Sequence, residues 1–313
     1  MFGQSFSTKT HERYLNLTTD AYFEAWRGGV VDTMIGIPAT AADRKRDHYD
    51  KFASQILDKE AREQFTFPAQ YMFKDVPDFD SIEDPVALLV AEMDRFHVQW
   101  GLLNVGSNPV ARQAVTDHPD RFVGGCSIDP NSGMDGVRHL ERAYHEHGAR
   151  SAQVFPAGLV PQVNIDDKKM YPLYAKCVEL DIPVFVNVGV PGPRVPMACQ
   201  DVARVDEVCW FFPELKLVMR HGGEPWVDLA VKLMLKWPNL YYSTSAFAPK
   251  HYPKEIIDYA NTRGADKIIY AGYYPMGLSL DRIFSEMPDV AFRDHVWPKF
   301  LRENAIRVLG IGT

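Results

Sequence analysis

Leu215–Trp226 reads L-K-L-V-M-R-H-G-G-E-P-W, a short apolar run that stops at Arg220-His221-Gly222-Gly223. Its length fits a buried strand, and the glycine pair fits a sharp polar turn at the strand's end. Seven further runs of this kind punctuate the chain: Val30–Ile35, Gly101–Val105, Phe122–Cys126, Ser151–Phe155, Pro183–Val188, Leu240–Thr244 and Lys267–Ala271. Helix-period stretches lie between most of them, including Pro85–His97, Gly133–His147, Met170–Leu180, Pro225–Leu235 and Pro253–Arg263. Asp20 to Gly28 reads as a preceding amphipathic segment and Trp297–Leu309 as a closing helix. Eight strands alternating with helices predict a single α/β domain over 1–313, a (β/α)8 TIM barrel. A doubly wound open sheet is the rival, but it calls for a glycine-rich phosphate turn after its first strand. Here Val30–Ile35 runs into Gly36-Ile37-Pro38 instead.

Composition narrows the function. With 313 residues, 46% hydrophobic and 24% charged, the chain can bury a large core. A net charge of −7 without a clustered basic face argues against nucleic acid. No apolar run approaches the roughly 20 residues of a membrane span, and no signal-peptide pattern opens the chain. The four cysteines (Cys126, Cys177, Cys199, Cys209) are scattered without a CxxC pair, which predicts buried free thiols and a cytoplasmic protein.

Two stretches break the alternation. Residues 39–82 follow the first strand, with a charged helix-like piece (Asp43–Lys59) and then the aromatic tip Phe65–Phe73. A loop leaving that strand end overlies the barrel mouth, so the insertion is expected to be a lid or, with the N-terminal segment 1–29, a homodimer surface, ordinary surface packing being the alternative. The second stretch, Gly189–Pro196, is a proline-stiffened loop after the fifth strand.

A set of motifs then carries a family resemblance. His118–Val123 (H-P-D-R-F-V) leads to Ser127–Pro130 (S-I-D-P), and Tyr171–Tyr174 (Y-P-L-Y) precedes Ile182–Phe185 (I-P-V-F). With His221–Trp226, Thr244-Ser245, Tyr274–Met276 and the terminal Asn304–Leu309, the chain resembles the amidohydrolase-related (amidohydrolase 2) branch of the metal-dependent hydrolases. That branch includes aminocarboxymuconate-semialdehyde decarboxylase and the resorcylate decarboxylases. The resemblance implies a site at the C-terminal ends of the strands.

The departures matter as much. The family's first strand usually ends in Asp-x-His-x-His, whereas this one reads Asp32-Thr33-Met34-Ile35-Gly36. Asn187 replaces the fifth-strand histidine and Tyr273 the eighth-strand aspartate, leaving His221 alone. A catalytic zinc-type site takes about three His, Asp or Glu ligands, so the expectation is no metal and no cofactor.

The expected catalytic set is His221 for proton transfer, with Tyr273 and Asn187 as hydrogen-bond donors to developing charge. Arg194, Glu224, Trp226 and Ser245 are the expected substrate contacts, Arg194 or Arg220 clamping a carboxylate. Packing roles are the alternatives: Tyr273 filling the volume of lost ligands, Asn187 satisfying backbone groups, Arg220 pointing outward because neighbouring strand residues alternate faces. Two function classes follow. One is a metal-independent enzyme hydrolysing, or cleaving C–C or C–O bonds of, a small organic acid or its thioester, with an aromatic or hydrophobic body suggested by the aromatics around the predicted loops. The other is a non-catalytic ligand-binding descendant; a conventional metal hydrolase or decarboxylase requires ligands outside the family pattern.

Overall fold

The computed structural model describes residues 20–46, 50–63, 69, 71–73 and 75–312. The eight apolar runs become eight strands: β1 Val30–Asp32, β2 Val98–Asn104, β3 Phe122–Ser127, β4 Ala149–Val154, β5 Val184–Asn187, β6 Leu217–Arg220, β7 Leu240–Ser243 and β8 Ile268–Ile269. Each pairs with the next in parallel, in chain order. The seam between β8 and β1 closes through single contacts. Thr33 donates from its backbone N and its hydroxyl to the Tyr270 carbonyl, Tyr273 N donates to Met34 O, and Ile35 bridges Tyr274. The TIM barrel expected from the alternation is the observed fold.

Among the described residues, the helices that position these strands are α1 Pro85–Arg95, α2 Pro109–Asp117, α3 Met134–His147, α4 Tyr171–Glu179, α5 Val205–Phe211, α6 Val227–Lys236, α7 Lys254–Tyr259, α8 Leu280–Glu286 and α9 Asn304–Leu309. Local chemistry starts and stops them. Asp84 and Asn108 each accept two backbone N–H bonds ahead of Pro85 and Pro109, and Gly148 ends α3 at φ 68°. The helix-period stretches named from the sequence do not include α2, α5 or α8.

Side chains alternate across each strand, so the barrel interior is read every second residue. The lower interior layer is Val31, Leu102, Val123, Phe185, Val218, Tyr241 and Ile269, sealed beneath by Ala305, Val308 and Leu309 of α9. Burying each large apolar side chain of this layer contributes about 1.5–3 kcal/mol. Two residues further along β2, β4, β5, β6 and β7 come Asn104, Gln153, Asn187, Arg220 and Ser243. The interior therefore turns from apolar to polar within one step of the pleat, toward the strands' C-terminal ends.

The insertion after β1 lies over that polar end. Of the helix-like piece expected at Asp43–Lys59, residues 47–49 lie outside the described residues, and short helices stand at Ala41–Arg44, Asp50–Ala53 and Lys59–Glu63. Thr40 caps the first, and Ile56 and Ala69 pack with Phe73, Phe155 and Tyr273. Phe65 and Phe67, expected at the insertion's tip, lie outside the described residues. All four cysteines are buried and free. Among the described residues, no helix is long and apolar enough to cross a membrane.

Candidate active site

Strand β6 ends at Arg220, and the next three residues all take positive φ: His221 at 68°, Gly222 at 89° and Gly223 at 78°. A side chain on Gly222 would collide with the Phe247 ring, 2.4 Å from an added Cβ. A left-handed conformation costs a non-glycine residue about 1–2 kcal/mol. Of the five non-glycine residues with positive φ among the described residues, His221, Ala246 and Tyr273 sit together at the strand ends. Strain gathered at one place is a mark of function.

This turn overrides the alternation rule. Arg220 is inward because it follows Val218 by two, and strict alternation would send His221 outward. The left-handed step swings it back, so both side chains line one cavity of about 220 Å³ with Met34, Asn187, Phe247 and Tyr273. The outward Arg220 considered from sequence is thereby corrected: its side chain is inside, 6% exposed.

Ser245, just beyond β7, holds the imidazole. His221 N donates to Ser245 Oγ at 3.1 Å, and the same Oγ lies 3.1 Å from Nδ1. With the serine proton directed at Nδ1, the neutral ring carries its own proton on Nε2. The Tyr273 ring meets the imidazole edge-on, centroids 5.5 Å apart, and leans on Phe73 at 5.7 Å. Burial, then the Arg220 charge, push the His221 pKa down to about 3, against a hydrogen bond with the Ser245 backbone. The ring is thus neutral at physiological pH, not poised near its ordinary value. Burial likewise lowers Arg220 to about 10. Its Nε donates to Asn187 Oδ1 at 2.8 Å, which leaves the Asn187 amide N–H groups as the donors for anything else.

The structure gathers His221, Tyr273, Asn187 and Glu224 around the cavity, with Ser245 behind the imidazole. It leaves two expected contacts apart. Arg194 is exposed on the rim, its guanidinium 5.6 Å from the centre of the Tyr71 ring. Trp226 packs half-buried against the core at the start of α6. Of the aromatics expected near the pocket, Tyr241 belongs to the base layer and Tyr242 is buried, donating to Gly222 O. Sequence reasoning missed Asn104, Ser127 and Gln153, which with Arg220 line an adjoining cavity of about 270 Å³. Counting two residues on from Leu102 and from Ser151 finds Asn104 and Gln153.

Asp32 has a different task. Its Oδ1 accepts from Met34 N at 2.9 Å and Gly272 N at 2.8 Å, tying the ends of β1 and β8. Its Oδ2 and the Tyr270 hydroxyl are buried together, and burial raises the carboxyl to about 6, against the hydrogen bonds from Gly272, Met34 and Tyr270.

The divalent metal implied by the family resemblance can be tested against these side chains. The positions expected from the sequence to stand for its ligands present a thioether (Met34), no side chain (Gly36), an amide already bound to Arg220 (Asn187) and a phenol (Tyr273). A guanidinium among them adds a repelling charge, and among the described residues no three His, Cys, Asp or Glu cluster. The donor set does not fit a divalent ion.

Comparison with known proteins agrees with the motifs. The chain is 27% identical over 134 residues to a 2-keto-4-carboxy-3-hexenedioate hydratase of Sphingobium, covering 37% of this chain and 39% of that protein. It is 25% identical over 129 residues to a 2-amino-3-carboxymuconate-6-semialdehyde decarboxylase of Dictyostelium discoideum, covering 36% and 35%. The matched segments thus span well under half of these curated relatives. Among solved structures, an uncharacterised TIM-barrel protein of Bordetella bronchiseptica superposes with a TM-score of 0.69 at 22% identity, over 90% of this chain and 98% of that one, a likeness of fold. Residues 57–311 match the Amidohydrolase family (Amidohydro_2), and the chain belongs to that family.

Proposed function

We propose that this chain is a metal-independent enzyme of its family, acting on a small organic acid or its thioester. The reaction class is lysis of a C–C or C–O bond or hydrolysis, with His221 as the proton-handling group. The observation that carries the reading is the strained His221, hydrogen-bonded to Ser245 and facing Tyr273 in a cavity that also holds Asn187. The low proton affinity of His221 makes it a donor through Nε2–H at rest, directed at an oxygen that gains charge. In this reading Asn187 Nδ2, the amide donor left free by the bond from Arg220, shares that oxygen, and Tyr273 completes the wall. Lysis is favoured because the two curated proteins to which the chain is similar are named as a hydratase and a decarboxylase. Ala69, Met72 and Phe73 of the insertion line the same cavity, which supports a lid that keeps water out.

Turnover should be sought across unsaturated and aromatic carboxylic acids, including the two named substrates, before and after exhaustive chelation. His221→Ala and Tyr273→Phe should each lower kcat/KM at least about a hundredfold, with thermal stability retained and no response to the chelator. Full activity in both variants, or activity that follows added metal, refutes the assignment.

A further inference from the structure

Among the described residues Arg220 is the one buried arginine of the barrel interior, and its charge is unanswered. Among the described residues it forms no ion pair; its side-chain hydrogen bond is the one from Nε to Asn187. Glu224 lines the same cavity yet is exposed and does not pair with it. Three cavities, of about 220, 270 and 510 Å³, meet at this side chain, and its remaining N–H groups are not sealed against protein. A guanidinium is held inside a protein at a large desolvation cost unless a counter-charge arrives, and its two terminal nitrogens match the two oxygens of a planar anion. The neighbouring walls say what else the anion carries. Met34, Phe73, Phe155, Phe247 and Tyr273 make one side apolar, while Asn104, Ser127 and Gln153 on the other are neutral.

We propose that Arg220 is an anion subsite that takes the carboxylate of the substrate through its terminal nitrogens, the acid's apolar body lying among Met34, Phe73, Phe155, Phe247 and Tyr273. This deepens the function proposed above and rests on the strand-end cavity being the site. A bare inorganic oxyanion uses the guanidinium alone and leaves the apolar wall uncovered; an organic acid uses both. The adjoining wall offers amides and a hydroxyl and no second cation beside Arg220 except Arg44, whose guanidinium donates to two backbone carbonyls and pairs with Asp78. A monocarboxylate therefore suits the subsite better than a dicarboxylate.

Calorimetric titration of the whole chain with benzoate, with benzamide as a neutral probe of the same shape, and with sulfate separates the possibilities. Benzoate is expected to bind at least about tenfold more tightly than benzamide, and sulfate more weakly than benzoate. Arg220→Gln should abolish the preference for benzoate while leaving benzamide binding within about twofold, and Arg220→Lys should keep part of it. Equal binding of benzoate and benzamide to the unaltered protein overturns the subsite while the cavity stays as the binding site. Sulfate matching benzoate overturns the organic acid as its ligand. Failure of both aromatic probes overturns the subsite and the function together. The contrast within the unaltered protein holds even if Arg220→Gln does not fold.

Discussion

The floor of the barrel and its mouth are built from the same strands, one pleat step apart, and obey opposite rules. At the floor, Val31, Leu102, Phe185, Val218 and Ile269 bury hydrocarbon against α9 with no polar group to satisfy. At the mouth, Gln153, Asn187 and Arg220 are withdrawn from water beside the half-buried Asn104 and beside Ser243, whose hydroxyl is buried without a partner. The floor exists to lower the free energy of the fold. The mouth raises it, through an unpaired guanidinium and the left-handed residues His221, Ala246 and Tyr273. A protein retains such costs where a ligand offsets them.

Substitutions at the two levels should therefore move stability in opposite directions. Phe185→Ala at the floor opens a cavity no neighbour can fill and should cost about 3–5 kcal/mol in chemical denaturation. A loss under about 1 kcal/mol would mean the floor is loosely packed and the contrast false. The seam residue Asp32 tests the level between. Its carboxyl binds a proton more tightly when folded, at about 6 against the ordinary 3.8, so its stabilising share is present below about 4 and lost as pH rises through 6. Asp32→Asn is insensitive to this, so its stability relative to the unaltered protein should climb by up to about 3 kcal/mol between pH 4 and pH 8. A difference that stays flat over that range would place the charge in contact with water.

Arg220→Gln removes the unanswered charge and should raise stability by about 1–2 kcal/mol, seen as a higher melting temperature. Destabilisation would show that the guanidinium is answered by a group inside the protein. The smallest effect is an absence. The His221 ring resonances, assigned by their loss in His221→Ala, should not shift between pH 5 and pH 8, because burial and Arg220 hold the ring neutral throughout. A midpoint near 6.5 would return His221 to an ordinary, solvated histidine.

Much of this was legible beforehand. The strand runs, the closing helix and the position of His221 at a strand end follow from apolar periodicity and from Gly222-Gly223, because burial on both faces leaves a continuous hydrophobic signature. Tyr273 and Asn187 emerged as departures from a family pattern, and both line the cavity. Arg194 and Trp226 stand close to the site in sequence, yet their side chains go to the rim and the core. Adjacency along the chain does not determine direction once a loop turns. Arg220 was the harder case, because alternation forbids two successive residues from sharing a face and only a positive φ lifts that prohibition.

The amino-acid order alone settled the eightfold alternation and the apolar floor, since these depend on residue type and local period. Only the folded chain decided that Arg220 and His221 enter the same cavity, and that no described acid neutralises the guanidinium. The reason is that backbone dihedrals at a strand's end, and the company of residues hundreds of positions away, are set by the closed barrel and by nothing within the segment itself.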